Sequence, residues 1–396
     1  MWVSEIEEEL KEHIIPFWLN LKDEEHGGFY GYLDFDLNLN KTADKGCILN
    51  SRILWFFSNA YRMYQEPAYL DAAKHAYDFL IKYAYDAECG GIYWSLTYDG
   101  QIADPTKHTY NQAFAIYALA SYYDITKDVQ ALKLAYELVD IIENACSDAN
   151  GYLEAFTRDF KPGSNEKLSE NGVLAERTMN TLLHVMEAYT ELYRVDRTSE
   201  NAQFIEKKLL EILQIFEKKM YNPLKKRQEV FFDLEYHSLI DLHSYGHDIE
   251  ASWLIDRALE VLDKTEVSEH YAPILEAMVA GVYNQAFDGK ALYNECENGI
   301  NDTKRIWWVQ CESIIGFLNA YTKNPNHHEY LEAAEQIWKY TKENIIDKRS
   351  GSEWLSEVDE KNVPMTRKPI VEPWKCPYHN GRMCLEVIRR SHRKIK

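Results

Sequence analysis

The sequence predicts an all-α fold, an (α/α)6 barrel of twelve helices with short β-hairpins or loops at one end. Aromatic segments with strand-like alternation and turn residues recur along the chain, and a pair of helical patterns lies between successive segments. Most segments lie roughly 60 residues apart, which is too long for one short helix pair and fits two long helices with loops. The segments are GGFYGYLDFD, GGIYWSLTYDG, NGYLEAFTRD, QEVFFDLEY, GKALYNECEN and GSEWLSEVDE.

The helical patterns follow one another in pairs. The first helix, SEIEEELKEHIIPFWLNL, has no predecessor and the last, NGRMCLEVIRRSHRK, has no successor, so we expect these two to pair and close a ring. The other pairs, in chain order, are SRILWFFSNAYRMY with AYLDAAKHAYDFLIKYAY, YNQAFAIYALASYY with DVQALKLAYELVDIIENA, TMNTLLHVMEAYTELYRV with AQFIEKKLLEILQIFEKKM, HDIEASWLIDRALEVL with HYAPILEAMVAGVYNQAF, and WWVQCESIIGFLNAYTK with EYLEAAEQIWKYTKENII.

The two members of a pair differ in character. The first is apolar nearly all round, as a helix buried on most sides should be, whereas the second is amphipathic, as in EKKLLEILQIFEKK. The pattern therefore predicts two concentric layers of six helices in a single domain over residues 1–396. An open α-solenoid is the alternative, and the complementary terminal helices favour the closed ring over it.

The amino-acid composition restricts the classes of molecule that we expect the protein to bind. With 44 Lys and Arg against 64 Asp and Glu, the net charge of −20 argues against nucleic acid and anionic membranes. The 28 tyrosines, 10 tryptophans and 15 phenylalanines suit stacking on sugars, although helical proteins also fill interhelix space with aromatics. The seven cysteines never stand in C-x-x-C spacing, which favours free thiols in a reducing compartment. We therefore expect a cytoplasmic monomer that acts on a small molecule.

Polar residues on the apolar inner helices cluster near the helix starts. Since burying a polar group is costly unless something uses it, such residues mark a candidate site. In a closed ring every inner helix starts at the same end of the barrel, so the clusters are predicted to converge on one pocket. They are Asn50, Ser51 and Arg52; His108, Tyr110 and Asn111; Asn180 and His184; His247 and Glu250; Trp307, Trp308 and Glu312; and Trp374, His379, Asn380 and Arg382.

The stretch HSYGHDIEASW (243–253) raises the question of a metal site. Two histidines four residues apart, with a carboxylate, resemble a zinc site if they share one helix. The repeat instead predicts that the helix begins near His247, which leaves His243 outside it, and no metal is expected. Two chemistries stay open for the pocket. Glu250 and Glu312 could serve an inverting glycoside hydrolase, and paired histidines suit proton abstraction beside a carbonyl.

Five motifs resemble those of one family, the cellobiose 2-epimerases within the wider N-acylglucosamine 2-epimerase group. They are SRILWF (51–56), HTYNQAF (108–114), HSYGHDIEASW (243–253), WWVQCE (307–312) and WKCPYHNGRMC (374–384). The resemblance spans almost the whole chain and implies an (α/α)6 barrel. It also implies cofactor-free epimerisation at C2 of the reducing-end glucose of β-1,4-linked disaccharides, converting cellobiose to glucosyl-mannose and lactose to epilactose.

The resemblance also implies roles for single residues. His247 and His379 resemble the two acid/base residues, which remove the C2 proton and return it to the opposite face through an enediolate after ring opening. Arg52 resembles the cation that stabilises the enediolate charge, and His184 the residue that orients the sugar or assists ring opening. The predicted substrate-binding residues are Tyr110 and Asn180 as hydrogen-bond partners, Glu250 beside an imidazole, Trp308 and Trp374 as stacking platforms, and Glu312 as an acceptor for sugar hydroxyls.

Other functions remain open beside this one. An aldose–ketose isomerase uses the same enediolate but returns the proton to C1, and an N-acylglucosamine 2-epimerase could use the same scaffold. A non-catalytic sugar-binding module would bind cellobiose without exchanging a C2 proton. The role of Trp253, in the core or against ligand, is likewise undecided by the sequence.

Overall fold

The computed structural model describes residues 2–169 and 171–393, and these are mainly helical. The helices are α1 (Trp2–Glu8), α2 (Ile15–Leu19), α3 (Cys47–Tyr64), α4 (Pro67–Phe79), α5 (Thr109–Thr126), α6 (Val129–Ala145), α7 (Met179–Val195), α8 (Ala202–Ile215), α9 (Tyr245–Leu262), α10 (Thr265–Ala286), α11 (Trp307–Lys323), α12 (His328–Asn344) and α13 (His379–Arg393). π-Helical turns join α1 to α2 (Glu9–Ile14) and extend α4 (Leu80–Ala84) and α8 (Phe216–Met220).

The helices form two layers. Helices α3, α5, α7, α9, α11 and α13 each contact the next, and α13 contacts α3, so the inner ring is closed. Helices α4, α6, α8, α10 and α12 pack outside their inner partners, and α1 packs on α13. The apolar inner helices are buried along most of their length because they are surrounded on all sides. The predicted (α/α)6 barrel is therefore confirmed, and the open solenoid is wrong.

Short antiparallel strands lie at the end of the barrel where the inner helices begin. The strand before an inner helix pairs with a strand in the loop that follows the outer partner of that helix, as residues 45–46 do with residues 95–96. The strands are β1 (Lys45–Gly46), β2 (Ser95–Leu96), β3 (Ile102–Asp104), β4 (Lys107–His108), β5 (Ser147–Asp148), β6 (Gly151–Tyr152), β7 (Ala155–Phe156), β8 (Arg177–Thr178), β9 (Tyr221–Asn222), β10 (Arg227–Gln228), β11 (Phe231–Phe232), β12 (Leu242–Ser244), β13 (Glu295–Glu297), β14 (Ile300–Asp302), β15 (Arg305–Ile306) and β16 (Glu357–Val358).

Several polar residues at the inner helix starts hold these loops. The side-chain oxygen of Asn50 accepts the Phe29 N–H at 2.9 Å. In two other repeats Gln112 and Gln310 accept the corresponding loop N–H at 2.6 and 2.9 Å. Each bond satisfies a buried backbone donor that would otherwise be costly. The prediction that every cluster faces the pocket is therefore wrong for Asn50, Asn111 and Asn380, whose side chains bond loop residues.

No helix in the described part of the chain combines the length and apolar character that crossing a membrane requires.

Candidate active site

A cavity of about 400 Å³ opens at the end of the barrel where the inner helices begin. Its walls come from helices on opposite sides of the ring, together with the loops between them. The predicted site residues that line it are Arg52, Tyr110, Asn180, His184, His247, Glu250, Trp308, Trp374 and His379. The closed ring therefore brings nine of the predicted residues to one pocket, and the tenth, Glu312, lies behind its wall.

His379 is the first residue of α13 and borders the pocket. Its Nδ1 lies 2.7 Å from Glu312 Oε1, so the other ring nitrogen, Nε2, is free for the pocket. The ring centroid lies 5.5 Å from that of Trp308. Burial, reinforced by the positive charges of Arg382 and Arg52, holds the pKa of His379 well below its ordinary value. The imidazole is thus neutral at physiological pH.

His247 lies in the first turn of α9 and is close to the same tryptophan. Its ring centroid is 4.7 Å from that of Trp308, and its Nδ1 is 2.7 Å from Ser244 Oγ. Burial lowers the pKa of His247 to about 4, although the nearby Glu250 carboxylate acts in the opposite direction. The two predicted acid/base histidines therefore both lie close to one indole, and burial favours the neutral form of each.

Arg52 brings an unbalanced positive charge to the pocket. Only 2% of the residue is exposed, and its Nη2 donates to the Tyr110 hydroxyl at 2.8 Å. The guanidinium carbon lies 4.2 Å from the ring centroid of Phe114 and 4.6 Å from that of Tyr378. Within residues 2–169 and 171–393 no carboxylate forms an ion pair with it. A buried cation without an anionic partner is costly, and a negative charge that develops in the pocket would relieve that cost.

A second arginine, Arg382, organises the carboxylates behind the pocket. It donates to Glu187 at 2.6 Å and to Glu312 at 2.7 Å, and it also bonds Glu250. Glu187 in turn lies 2.8 Å from Nδ1 of His184. Each of the three carboxylates therefore connects Arg382 to the surroundings of a different pocket histidine. Glu187 was not among the site residues predicted from the sequence, although its spacing of three residues from His184 on one helix is a usable signal.

Burial and Arg382 shift the pKa values of Glu312 and Glu187 in this network. Burial raises the pKa of Glu312 to about 8, although Arg382 opposes the shift. Burial also acts to raise the pKa of Glu187, but Arg382 and His184 outweigh it and lower the value to about 2. Glu187 is therefore ionised at neutral pH, whereas burial favours the protonated form of Glu312.

The structure gives Glu312 a different position from the predicted one. The residue is fully buried, and its Oε1 faces His379 and Arg382 while its Oε2 accepts from the indole nitrogen of Trp253 at 3.0 Å. With both oxygens engaged, Glu312 is not available to sugar hydroxyls. Trp253 belongs to the core.

The structure also bears on the metal question. His243 lies on β12, outside the helix as expected, and its Nε2 bonds Asp248 at 2.8 Å. A different group, Glu250, Glu312 and His379, brings ligand atoms within 4.8 Å of one another. Arg382 bonds both of these glutamates, so its guanidinium already supplies a positive charge at this position.

Besides Arg52, whose Nε is one such atom, two pocket residues have buried polar atoms without a hydrogen-bond partner among the described residues. They are the side-chain oxygen of Asn180 and the indole N–H of Trp307. Since buried polar atoms are nearly always paired, a hydroxyl-bearing ligand is the natural partner for this acceptor and this donor. Trp307 was part of a sequence cluster but was not assigned a ligand contact.

The fold and the site together define a class of protein, the (α/α)6-barrel enzymes that act on carbohydrates. Residues 28–380 match the model of the N-acylglucosamine 2-epimerase family, and the chain belongs to that family. It is 51% identical over 393 residues to the cellobiose 2-epimerase of Eubacterium cellulosolvens, covering 96% of each chain.

Two further relatives agree. The chain is 49% identical over 391 residues to the cellobiose 2-epimerase of Ruminococcus albus, covering 99% of each chain. The solved structure of cellobiose 2-epimerase from Bacillus thermoamylovorans superposes with a TM-score of 0.93 at 45% identity, covering 98% of this chain and 99% of that one. The family resemblance inferred from the sequence motifs is therefore confirmed.

Proposed function

We propose that this protein epimerises C2 of the reducing-end glucose of β-1,4-linked disaccharides. The observation that carries the proposal is the pair of buried imidazoles, His247 and His379, which line one pocket close to Trp308. The guanidinium of Arg52, which has no ion-pair partner among the described residues, lines the same pocket. Such a pair suits removal of a proton from one face of a carbon and its return to the other. The similarity to proteins named cellobiose 2-epimerase supports the substrate class.

The reaction begins with ring opening, because only the open-chain aldehyde acidifies the C2–H bond. One histidine accepts the C2 proton through Nε2, and the electron pair left at C2 moves into the C1 carbonyl to form an enediolate. Arg52, with Tyr110 bound to it, stabilises the new negative charge on oxygen. The other histidine then donates a proton to the opposite face of C2. His184, held by Glu187, orients the sugar or assists ring opening.

In the reactive state the two histidines together carry one proton more than two neutral imidazoles would. The base must be neutral, and burial favours the neutral form of both rings. The other ring must carry the proton that it delivers, so the reactive state has one imidazole and one imidazolium, and the roles exchange in the reverse reaction. Their mutual repulsion disfavours a second proton, as the influence of His247 on the pKa of His379 indicates.

Sugar recognition is proposed for the pocket residues around this centre. Trp308 and Trp374 provide faces for the two rings of cellobiose or lactose. Asn180 Oδ1 and the Trp307 N–H pair with sugar hydroxyls, because both are buried without another partner in the described structure. The products are glucosyl-mannose from cellobiose and epilactose from lactose.

The hydrolase alternative is disfavoured by the carboxylates. An inverting glycosidase needs two carboxyl groups about 6.5–9.5 Å apart with room for water between them. Here Glu250 and Glu312 bring oxygens within 4.8 Å of each other and share the guanidinium of Arg382. The aldose–ketose isomerase and the N-acylglucosamine 2-epimerase remain alternatives within the same chemistry.

The test is incubation with cellobiose in D2O, followed by NMR of the reducing-end residue. The proposal expects deuterium at C2 together with glucosyl-mannose. A ketose product would identify an isomerase, free glucose a hydrolase, and binding without exchange a sugar-binding module. His247→Asn and His379→Asn should each abolish the exchange, whereas His328→Asn, at an exposed histidine, should leave it unchanged. Exchange that persists in either pocket variant would refute that assignment.

We also propose, from the sequence arguments alone, that the chain is a single domain that works as a cytoplasmic monomer without a cofactor. Size-exclusion chromatography with light scattering tests the monomer. Activity retained after dialysis against EDTA tests the absence of a required metal.

A further inference from the structure

Ser244 occupies the N-cap position of α9 without capping the helix. An N-cap serine usually accepts a hydrogen bond from a backbone N–H of the first turn. The Ser244 side chain makes no such bond, and its Oγ lies 2.7 Å from Nδ1 of His247, three residues further on. The residue is 7% exposed and lines the pocket.

Two other N-caps of the same barrel do accept a first-turn hydrogen bond. On inner helix α7, Thr178 accepts from the Thr181 N–H at 3.0 Å, and on outer helix α6, Asp128 accepts from the Gln130 N–H at 2.8 Å. A lost cap costs a helix about 1 kcal/mol. The first turn of α9 thus gives up a stabilising contact, and the serine hydroxyl is directed to an imidazole instead.

We propose that Ser244 is a positioning residue for proton transfer at C2, whose hydroxyl accepts the Nδ1–H of His247 and thereby presents the bare Nε2 to the substrate. The proposal rests on the proposed function, in which His247 is one of the two acid/base residues. A neutral imidazole carries one N–H, so fixing it on Nδ1 leaves the lone pair on Nε2. After Nε2 has taken the C2 proton, the imidazolium keeps its Nδ1–H bond to the serine.

His247 and His379 differ in the group that bonds Nδ1, which is a neutral hydroxyl for His247 and a carboxyl group for His379. His379 faces the Glu312 carboxyl group, which can share its proton, whereas Ser244 adds no charge beside His247. The ring therefore remains weakly basic and neutral at rest, in keeping with a pKa of about 4. The titratable groups that influence it are Glu250 and Asp248 on its own helix, His184 on α7 and His379 on α13.

The first test reads the tautomer of His247 directly and needs no activity. Long-range 1H–15N spectra of protein labelled with 15N-histidine are recorded without substrate at pH 7.5, with His247→Gln used to assign the signals. The expected result is the Nδ1–H tautomer in the wild-type protein and a shift toward Nε2–H in Ser244→Ala. An Nε2–H tautomer in the wild type, or an unchanged tautomer in Ser244→Ala, overturns the proposal even if the epimerase activity is established.

The second test separates positioning from helix capping. Ser244→Ala should lower kcat for C2 exchange at least ~10-fold, a part of the 10²–10⁴-fold that positioned proton transfer contributes, with little change in KM. Ser244→Thr keeps the hydroxyl and should recover most of the rate. Asp128→Ala, which removes a cap far from the pocket, should lower the melting temperature and leave kcat unchanged. Equal kcat in Ser244→Ala and the wild type, or no recovery in Ser244→Thr, would contradict the role.

Discussion

Replacement of Arg382 by glutamine should destabilise the protein in a pH-dependent way. Arg382 is 1% exposed and bonds the three buried carboxylates of Glu187, Glu250 and Glu312. Glutamine can donate to one or two of them but cannot offset their charge. Removing one partner of a buried ion pair costs about 3–5 kcal/mol, because the remaining charge is buried without compensation. We expect a loss in that range at pH 7.5.

The pH dependence follows from the carboxylates that lose their cation. Without Arg382 the pKa of Glu187 rises above its unfolded value, and that of Glu312, already about 8, rises further. Between pH 5 and 8 the folded variant therefore binds more protons than its unfolded chain. The free energy of unfolding then falls as pH rises, by about 1.4 kcal/mol per pH unit for each additional carboxyl group that titrates. Glu187, whose pKa is about 2 in the wild type, should show the largest increase in pKa when Arg382 is removed.

Guanidinium denaturation followed by tryptophan fluorescence at pH 5, 6, 7 and 8 measures this difference. Arg305→Gln is the control, since Arg305 is also buried, at 7% exposed, but its carboxylate partner, Asp288, is 26% exposed and can be hydrated. The control should be destabilised equally at all four pH values. A deficit of Arg382→Gln that is below about 1 kcal/mol, or that does not grow with pH, would refute the account of the network.

Two further predictions concern close packing and the loops. A Cβ on Gly246 would lie 2.6 Å from two ring atoms of Trp308. Gly246→Ala should therefore displace this indole, which lies close to both histidines, cost about 1–3 kcal/mol and reduce kcat for cellobiose. Gly281→Ala is the control, since its added Cβ would lie no closer than 3.7 Å to the nearest neighbour, and equal activity in both variants would contradict the packing argument. Asn50→Ala leaves a buried loop N–H unpaired. It should lower the free energy of unfolding by about 1–3 kcal/mol and leave kcat nearly unchanged. A large loss of kcat in the folded variant would show that Asn50 acts in the pocket and not only on the loop.

The architecture could be predicted because the same pair of helical patterns recurs along the sequence. Six helix pairs, each with a buried and an amphipathic member, leave a surface that only a ring can cover, and the terminal helices complete it. Since all inner helices then begin at one end, the motifs that contain Arg52, His247 and His379 had to meet, although they are far apart in the chain. Sequence also placed the start of α9 closely enough to separate His243 from His247.

What the tertiary structure decided is where each polar side chain points once the helices are packed. Asn50 and Arg52 are two residues apart on one helix, yet one holds a loop and the other faces the pocket, because successive positions lie about 100° apart around the axis. Glu312 likewise faces His379 and Arg382 rather than sugar, and the network around Arg382 joins residues from four helices. Local periodicity determines that a helix is buried, but the partner of a buried charge comes from another part of the chain, and only the closed ring brings the two together.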